Sequence, residues 1–217
     1  MNYFAHGRHF IADPYFLLGT AAPDLIRVAA RKSRLREKHA REFVQDESPR
    51  VAEIAAGIQQ HHADDAWFHK TQAFAQLSLE FTVIARDALP GDEGFRPSFL
   101  GHILVELLLD SVLIEREKQL LDNYYQAMEA VDAELVQLAI SRMATQPAER
   151  FSACLQGFCQ VRFLYDYLDD GKLCYRVNQV MRRVGLPELP ASFVELISPM
   201  RSAVANRADE LLDSRTN

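Results

Sequence analysis

The sequence predicts an all-α protein, and three observations support this prediction. Its apolar residues fall mostly in long stretches with helical spacing rather than in strict alternation. Nine glycines and nine prolines in 217 residues are too few for a barrel or sandwich of many short strands. With 48% hydrophobic and 25% charged residues, the chain can bury a core, which excludes a disordered or collagen-like protein. We expect one domain, residues 1–217, built as a single-domain bundle of about seven to nine helices.

The first thirty residues carry two helix-start signals. Asp13-Pro14 and Pro23-Asp24 each combine an aspartate with a proline, which suits a helix cap and first turn. This segment therefore predicts two short helices or one broken helix. A basic run follows, with seven lysines or arginines against one glutamate between residues 27 and 41.

The middle of the chain predicts the longest helices. Ser48-Pro49 opens a helical stretch that runs to about residue 87, with a break near Lys70. A loop at residues 90–94 ends it, and a helix from residue 97 continues to about residue 119. Between residues 99 and 114 this helix is apolar on every side except at four polar residues, so we place it at the centre of the bundle.

The remaining sequence predicts further helices near residues 131–144, 148–167, 173–184 and 193–212. We interpret Asp169-Asp170-Gly171 and the glycine and proline at residues 185–187 as stop signals between them.

Composition also bears on partners and location. A net charge of −6 provides no overall positive field to attract nucleic acid or an anionic membrane. No apolar run approaches the roughly 18–20 residues of a membrane span, and the first residues do not resemble a secretory signal. Three cysteines without a CxxC pair argue against a disulfide framework. We expect a cytoplasmic protein with buried thiols, no membrane span and no nucleic-acid partner; a homodimer is compatible with the sequence.

A cluster of histidines and aspartates is the first candidate functional site. His61, Asp65 and His69 are spaced i, i+4 and i+8, so on a helix they share one face with about 6 Å of rise between neighbours. That face could hold a cation. His62 and Asp64 point elsewhere and could support the ligands or bind a second ion. The alternative is a solvated polar turn with His–Asp pairs.

A second group has the same spacing inside the most apolar helix: His102, Glu106 and Asp110. Burying two carboxylates and an imidazole on one face costs several kcal/mol unless partners compensate. A divalent metal ion would compensate, and so would hydrogen bonds to arginine or tyrosine on another helix.

His6 and Asp24 complete the candidate metal ligands. The full set combines imidazole and carboxylate without thiolate, which suits Mn, Fe or Zn in a site that activates water. We expect one or two divalent ions, bound in the half of the domain at about residues 1–117, with a helical C-terminal half at about 118–217. The predicted ligands are His6, Asp24, His61, Asp65, His102, Glu106 and Asp110.

Three sequence elements occur in order near these residues. The first is Asn2-Tyr3-Phe4-Ala5-His6. The second is Gly19 with Asp24 five residues later, and the third runs from Gly57 through His61 to Asp65. This set resembles the acyl carrier protein phosphodiesterases, which show N-x-x-A-H, then glycine and aspartate, then G-I-x-x-H-x-x-x-D. That family comprises all-α, metal-dependent hydrolases related to the HD-domain phosphohydrolases, so the resemblance implies an HD-domain-like fold.

The resemblance covers roughly the first 110 residues and changes at its fourth element. Where the family has D-x-x-x-D-H, this chain has His102-Ile103-Leu104-Val105-Glu106-Leu107, which keeps the i, i+4 pair with different ligands. The segment Ala22-Pro23-Asp24, with an early histidine, is also similar to zinc-dependent phospholipase C. Both resemblances imply metal-assisted hydrolysis of a phosphate ester.

The sequence thus predicts a metal-dependent hydrolase of a phosphomonoester or phosphodiester. Its substrate would be a phosphorylated small molecule or, as the resemblance implies, a phosphopantetheine-type group. Asp65 or Glu106 would orient the attacking water or accept its proton. Arg27, Arg31 and Lys32 would bind the phosphate, because guanidinium and ammonium groups bind phosphate well. Alternatively, this basic run is a solvated helix face.

Three other functions remain open. In a non-enzymatic helical binding or scaffold protein, the same residues would form a buried His/Asp/Glu network without stoichiometric metal. A metalloprotein for redox or oxygen chemistry usually carries paired E-x-x-H motifs, which are absent here. A nucleic-acid-binding module would depend only on the basic run.

Overall fold

The computed structural model describes residues 1–89, 91 and 94–213. Within these residues the protein is all-α, and no strand is formed. An isolated bridge joins the extended backbone of Leu35 and Ala144. The predicted all-α class is confirmed, whereas the HD-domain-like fold stays a prediction.

Twelve α-helices and three short 3-10 helices make up the described chain. The α-helices are α1 (Tyr3–Gly7), α2 (Pro14–Ala29), α3 (Glu37–Ala40), α4 (Pro49–Phe68), α5 (Gln72–Ala88), α6 (Pro97–Arg116), α7 (Lys118–Glu129), α8 (Ala133–Met143), α9 (Phe151–Val161), α10 (Asp170–Arg183), α11 (Ile197–Asn206) and α12 (Ala208–Leu212). The 3-10 helices are Arg41–Phe43, Phe163–Leu168 and Ala191–Leu196.

The chain divides into two compact units. The first unit comprises Asn2–Ala66 and Glu117–Arg162, and the second comprises Met1, Trp67–Arg116 and Phe163–Asn217. The two units are interleaved along the chain, and the division into halves at about residues 1–117 and 118–217 stays a prediction. The borders between the units carry no obvious linker composition, and the sequence did not predict the interleaving.

Helix α1 of the first unit is stabilised by tertiary packing. A five-residue helix is too short to be stable alone. The ring of Phe4 lies 5.9 Å from that of Tyr124 on α7, and the ring of Tyr3 lies 5.2 Å from that of Phe158 on α9. These aromatic contacts position the last turn of α1, which carries His6.

Helix α2 resolves the alternative between two short helices and one broken helix. It is a single helix with Pro14 in its first turn and the buried Pro23 in its interior. Proline has no backbone N–H, so Pro23 cannot donate to the carbonyl of Gly19. The helix continues past this lost hydrogen bond because its apolar residues are buried on both sides of the proline.

Two glycines bring α2 and α4 into backbone contact. A Cβ atom added to Gly19 would lie 2.9 Å from the Cα of Gly57, and one added to Gly57 would lie 2.8 Å from the Cα of Gly19. Real Cβ atoms essentially never approach other atoms this closely. The glycines of the second and third sequence elements thus permit one helix crossing.

Helix α6 is the centre of the second unit. The apolar residues 99–114 predicted this central position. It packs against α5, α11 and the 3-10 helix Phe163–Leu168. The hydroxyl of Ser111 donates to the carbonyl of Tyr167 at 2.8 Å, and Arg201 donates to the same carbonyl at 2.7 Å. These hydrogen bonds satisfy the buried hydroxyl of Ser111 on α6 and the carbonyl of Tyr167 that packs against it.

Within the described residues, one helix, α6, has the length and composition of a membrane span. However, 67% of its apolar stretch is buried inside the protein, as in the core helix of a soluble protein. The fold therefore requires no membrane span.

Several predicted boundaries differ from the structure. The helix predicted to reach residue 119 ends at Arg116, and α7 was not predicted as a separate helix. The helix predicted at 148–167 ends at Val161, because Arg162 has a left-handed backbone with φ 47°. Asp169 begins a helix rather than ending one, since its side chain caps α10 by accepting from the backbone N–H of Lys172. The predicted loop at 90–94 lies partly outside the described residues.

The cysteines form no disulfide in the described chain. Cys159 and Cys174 are buried and Cys154 is half-buried, so the prediction of buried thiols holds for two of the three. Burial raises the pKa of the Cys159 thiol to about 11. These thiols are therefore packing residues at neutral pH.

Candidate metal centre

The structure gathers histidine, aspartate and glutamate side chains into two groups of three. We call His6, His61 and Asp65 the first triad, and His69, His102 and Glu106 the second triad. The first lies in the first unit and the second in the second unit. In each triad, one nitrogen or oxygen atom from every residue lies within 4.8 Å of the other two. Each triad could therefore hold a metal ion.

The first triad joins α1 to α4. The imidazoles of His6 and His61 are stacked, with centroids 4.1 Å apart and planes at 27°. Asp65 follows His61 by one helical turn, as the i, i+4 spacing predicted. The side chains of His6 and His61 are 0% and 5% exposed, whereas that of Asp65 is 31% exposed. The triad is therefore open to solvent on the Asp65 side.

Hydrogen bonds determine which nitrogen of each imidazole carries a proton. The Nδ1 of His61 lies 2.9 Å from the carbonyl of Thr20, and the Nδ1 of His6 lies 3.1 Å from a carboxylate oxygen of Asp64. Both oxygens are acceptors, so both Nδ1 atoms are the donors. The two Nε2 atoms face Asp65, at 3.4 Å for His6 and 3.5 Å for His61.

Asp64 positions His6 and is itself held in place. Its second carboxylate oxygen accepts a 2.7 Å hydrogen bond from the side-chain amide of Gln60, one turn earlier on α4. Histidine ligands of metals commonly donate their other N–H to a carboxylate or a backbone carbonyl. Asp64 and the Thr20 carbonyl occupy these two supporting positions. A supporting role was one of the alternatives predicted for Asp64.

The charges of the first triad depend on one another. Burial by itself would lower the pKa of His6, but the hydrogen bond to Asp64 and the nearby carboxylate of Asp65 outweigh burial and raise this pKa to about 9. Burial and the neighbouring His6 hold the pKa of His61 well below its usual range. Burial would raise the pKa of Asp65, but its interactions with His6 and His61 keep it well below the ordinary value. Without a bound ion, the first triad therefore combines a protonated His6, a neutral His61 and an ionised Asp65.

The first triad fits a divalent cation chemically. The Nε2 atom of His6 is buried and forms no well-aligned hydrogen bond among the described residues, although an oxygen of Asp65 lies 3.4 Å away. A buried polar atom without a partner is costly and calls for an explanation. Two imidazole nitrogens and a carboxylate are suitable ligands for Zn, Fe or Mn, and such an ion could take the place of the proton on the Nε2 atom of His6.

The second triad is centred on Glu106. Its Oε1 atom lies 2.8 Å from the Nε2 of His69 and 3.3 Å from the Nε2 of His102. The α-amino group of Met1 lies 3.2 Å from the same oxygen. Burial would raise the pKa of Glu106, but these positively polarised neighbours hold it far below its usual range.

His69 does not lie on the helix face that carries His61 and Asp65, where its sequence spacing predicted it. The spacing placed it on one face with His61 and Asp65, but α4 ends at Phe68, before His69. The chain turns there because the Thr71 hydroxyl donates to the Phe68 carbonyl and accepts from the N–H of Phe74, capping α5. His69 joins the second triad, and no local sequence signal marks that partnership.

Two predicted ligands lie outside both triads. Asp24 is half-buried on α2, and Asp110 is fully buried on α6; both interact with other residues of the fold. The structure thus brings together five of the seven predicted ligands, in two groups.

The predicted phosphate-binding residues follow the end of α2. Arg27 lies in its last turn, and Arg31 and Lys32 come directly after the helix; all three side chains are exposed.

Comparisons of this chain with models of protein families, with curated proteins and with solved structures find no match. The family resemblance and the hydrolase function therefore remain predictions that depend on the sequence elements and on the geometry of the site.

Proposed function

We propose that the protein is a metal-dependent hydrolase of phosphate esters and that the first triad is its metal site. One observation carries the proposal. His6 and His61 both direct Nε2 atoms toward Asp65, while their Nδ1–H groups are bound to fixed acceptors. Imidazoles oriented in this way can bind a cation without turning either ring, once His6 releases its Nε2 proton.

The chain's own groups would hold and orient the reacting partners. His6, His61 and Asp65 would hold a Zn, Fe or Mn ion, and Asp64 would keep His6 in its binding orientation. Such an ion, when bound, lowers the pKa of a water molecule toward about 7 and neutralises charge on phosphoryl oxygens. Because Asp65 is the exposed member of the triad, the substrate would approach from its side.

Asp65 presents one carboxylate oxygen to each imidazole, so we assign it to holding the ion. Glu106 belongs to the second triad, and its predicted part in proton transfer stays a prediction.

The choice of a phosphate ester is supported by how the sequence elements meet in the first unit. His6 of the first element stacks on His61 of the third, and Gly19 of the second packs on Gly57 of the third. The elements that resemble the phosphodiesterase family therefore build one helix crossing beside one candidate metal site. Arg27, Arg31 and Lys32 are exposed cations in the same unit and would bind the phosphate.

The proposal is tested by metal content and hydrolysis measured on the same samples. Protein purified without chelator or nickel is analysed for elements and assayed with bis-p-nitrophenyl phosphate. We expect bound Zn, Fe or Mn, loss of hydrolysis after removal of the metal, and recovery when one of these ions is returned. Folded protein that binds none of these ions and hydrolyses nothing would instead support a non-enzymatic protein with a buried polar network.

A second candidate function is iron-dependent oxygen chemistry. Two histidines and one carboxylate with open positions are also the ligand set of non-haem Fe(II) oxygenases, and the first triad has this composition. Oxygen consumption by the Fe(II)-loaded protein, without hydrolysis by the Zn- or Mn-loaded protein, would favour this function over the first.

Replacing Asp64 by asparagine is expected to weaken metal binding while leaving the fold intact. Asparagine keeps the shape and can still accept from His6, but it removes the charge that polarises the imidazole. Loss of such a supporting carboxylate typically costs about 10- to 100-fold in metal affinity. Competition with a chelating dye measures this affinity. Glu53→Gln, an exposed neutralisation on the same helix, should leave affinity unchanged, and equal affinities for both variants would contradict the assigned role.

A further inference from the structure

We propose that the second triad binds a divalent metal ion of its own and that this ion stabilises the fold rather than hydrolysing substrate. His69 lies in the turn between α4 and α5, and His102 and Glu106 lie on α6. An ion held by all three would tie that turn to the central helix of the second unit.

The geometry of the triad is convergent. The Nε2 atoms of both imidazoles face the same oxygen of Glu106, at 2.8 Å and 3.3 Å, and the ring centroids are 4.7 Å apart. The α-amino group of Met1 approaches this oxygen as well. Three nitrogen groups thus gather at one carboxylate, and one ligand atom from each of His69, His102 and Glu106 lies within 4.8 Å of the others. A divalent ion bound here would replace the protons through which the two imidazoles contact Glu106.

The surroundings keep the imidazoles in place and leave one side open. The ring of Phe74 lies 4.8 Å from that of His69 and 4.9 Å from that of His102, and it packs on the fully buried Phe68. The Glu106 side chain is 13% exposed, whereas His69 and His102 are 31% and 42% exposed. An ion can therefore enter from solvent, and water can complete its coordination.

The proposed stabilising role follows from the thermodynamic coupling between metal binding and folding. His69 and His102 are far apart along the chain and meet only in the folded protein. An ion that binds both stabilises the folded state over the unfolded one, by an amount that grows with ion concentration. At a zinc concentration about 100 times the dissociation constant, we expect the Tm of the wild-type protein to rise by about 5–10 °C through this triad.

The experiment compares zinc stoichiometry and Tm in the wild type, His69→Ala, His102→Ala, His61→Ala and the control His39→Ala. His69 and His102 are partly exposed, so their alanine variants are expected to fold, which circular dichroism checks. His39 lies in neither triad. We expect His69→Ala and His102→Ala each to bind one zinc ion fewer than the wild type and to lose about 5–10 °C of the zinc-induced rise in Tm, whereas His39→Ala behaves as the wild type.

The outcomes separate this inference from the proposed function. One zinc ion that is lost in His102→Ala but kept in His61→Ala would support the inference and contradict the proposed hydrolytic site. Undiminished zinc binding in His69→Ala and His102→Ala would overturn the inference. A single ion lost in both His61→Ala and His102→Ala would also overturn it, because the two triads would not then bind separate ions.

Discussion

Replacing His61 by alanine is expected to abolish metal binding at the first triad and to reduce phosphodiester hydrolysis by about 10³-fold. The variant loses one of two imidazole ligands, and within the described residues the triad contains no third histidine that could replace it. A catalytic metal contributes several kcal/mol of transition-state stabilisation, and about 4 kcal/mol corresponds to that factor. Elemental analysis and kcat/KM for bis-p-nitrophenyl phosphate measure the two effects together.

The control for this experiment is His39→Ala, the same substitution at a histidine outside both triads. It should retain metal and any hydrolysis that the wild type shows. If His61→Ala hydrolyses as fast as the wild type while circular dichroism shows both folded, the first triad is not the hydrolytic centre.

Replacing Gly57 by alanine is expected to destabilise the protein by about 3 kcal/mol, through the crossing of α2 and α4. The added Cβ would meet the carbonyl of Phe16 and lie 2.8 Å from the Cα of Gly19. Both contacts are with backbone, so no side-chain rotation relieves them and the helices must separate. For a protein of this size, the Tm should fall by about 6–12 °C, which thermal unfolding followed by circular dichroism measures.

Gly157→Ala is the matched control for the helix crossing. Gly157 lies inside α9, and a Cβ there would have no neighbour within 4 Å. Alanine favours the helix over glycine by about 0.5–1 kcal/mol, so this variant should be more stable than the wild type. If both variants shifted Tm in the same direction, the close approach of α2 and α4 would not explain the presence of glycine at residue 57.

The dependence of the first triad on the helix crossing is also testable in these variants. Gly19 and Gly57 lie on the same two helices that carry Thr20 and His61, one residue and four residues away. A shift of these helices would change the distance from the Thr20 carbonyl to His61. Gly57→Ala should therefore weaken zinc binding as well as stability, whereas Gly157→Ala should weaken neither.

The fold could largely be predicted because helical periodicity is a local property. The all-round apolar character of residues 99–114 correctly predicted a central helix, α6. Helix α7 was missed, although its buried residues Leu121, Tyr124, Tyr125 and Met128 have the spacing i, i+3, i+4 and i+7. The helical pattern was therefore present in the sequence. A helix break was predicted near Lys70, and α4 ends two residues earlier, at Phe68. The prediction did not include the resulting move of His69 away from the face of α4.

The candidate site could be predicted only where its residues share a helix. His61 with Asp65, and His102 with Glu106, are i, i+4 pairs whose proximity follows from helical geometry. The pairing of His6 with His61, of His6 with Asp64, and of His69 with Glu106 spans 37 to 58 residues along the chain. No local pattern specifies which of several polar residues meet across such a separation, so Asp24 and Asp110 were equally good candidates in sequence.

The sequence by itself determined the all-α class, the central place of α6 and the residue types of the site, because these depend on composition and on the 3.6-residue period of the helix. Only the tertiary structure decided that the ligands form two triads and that Asp64 and the Thr20 carbonyl orient the imidazoles of the first. It also decided that His69 belongs with His102 and Glu106. The physical reason is that these partnerships depend on how helices cross, and the crossings depend on close contacts such as that between Gly19 and Gly57, which act between residues far apart in the chain.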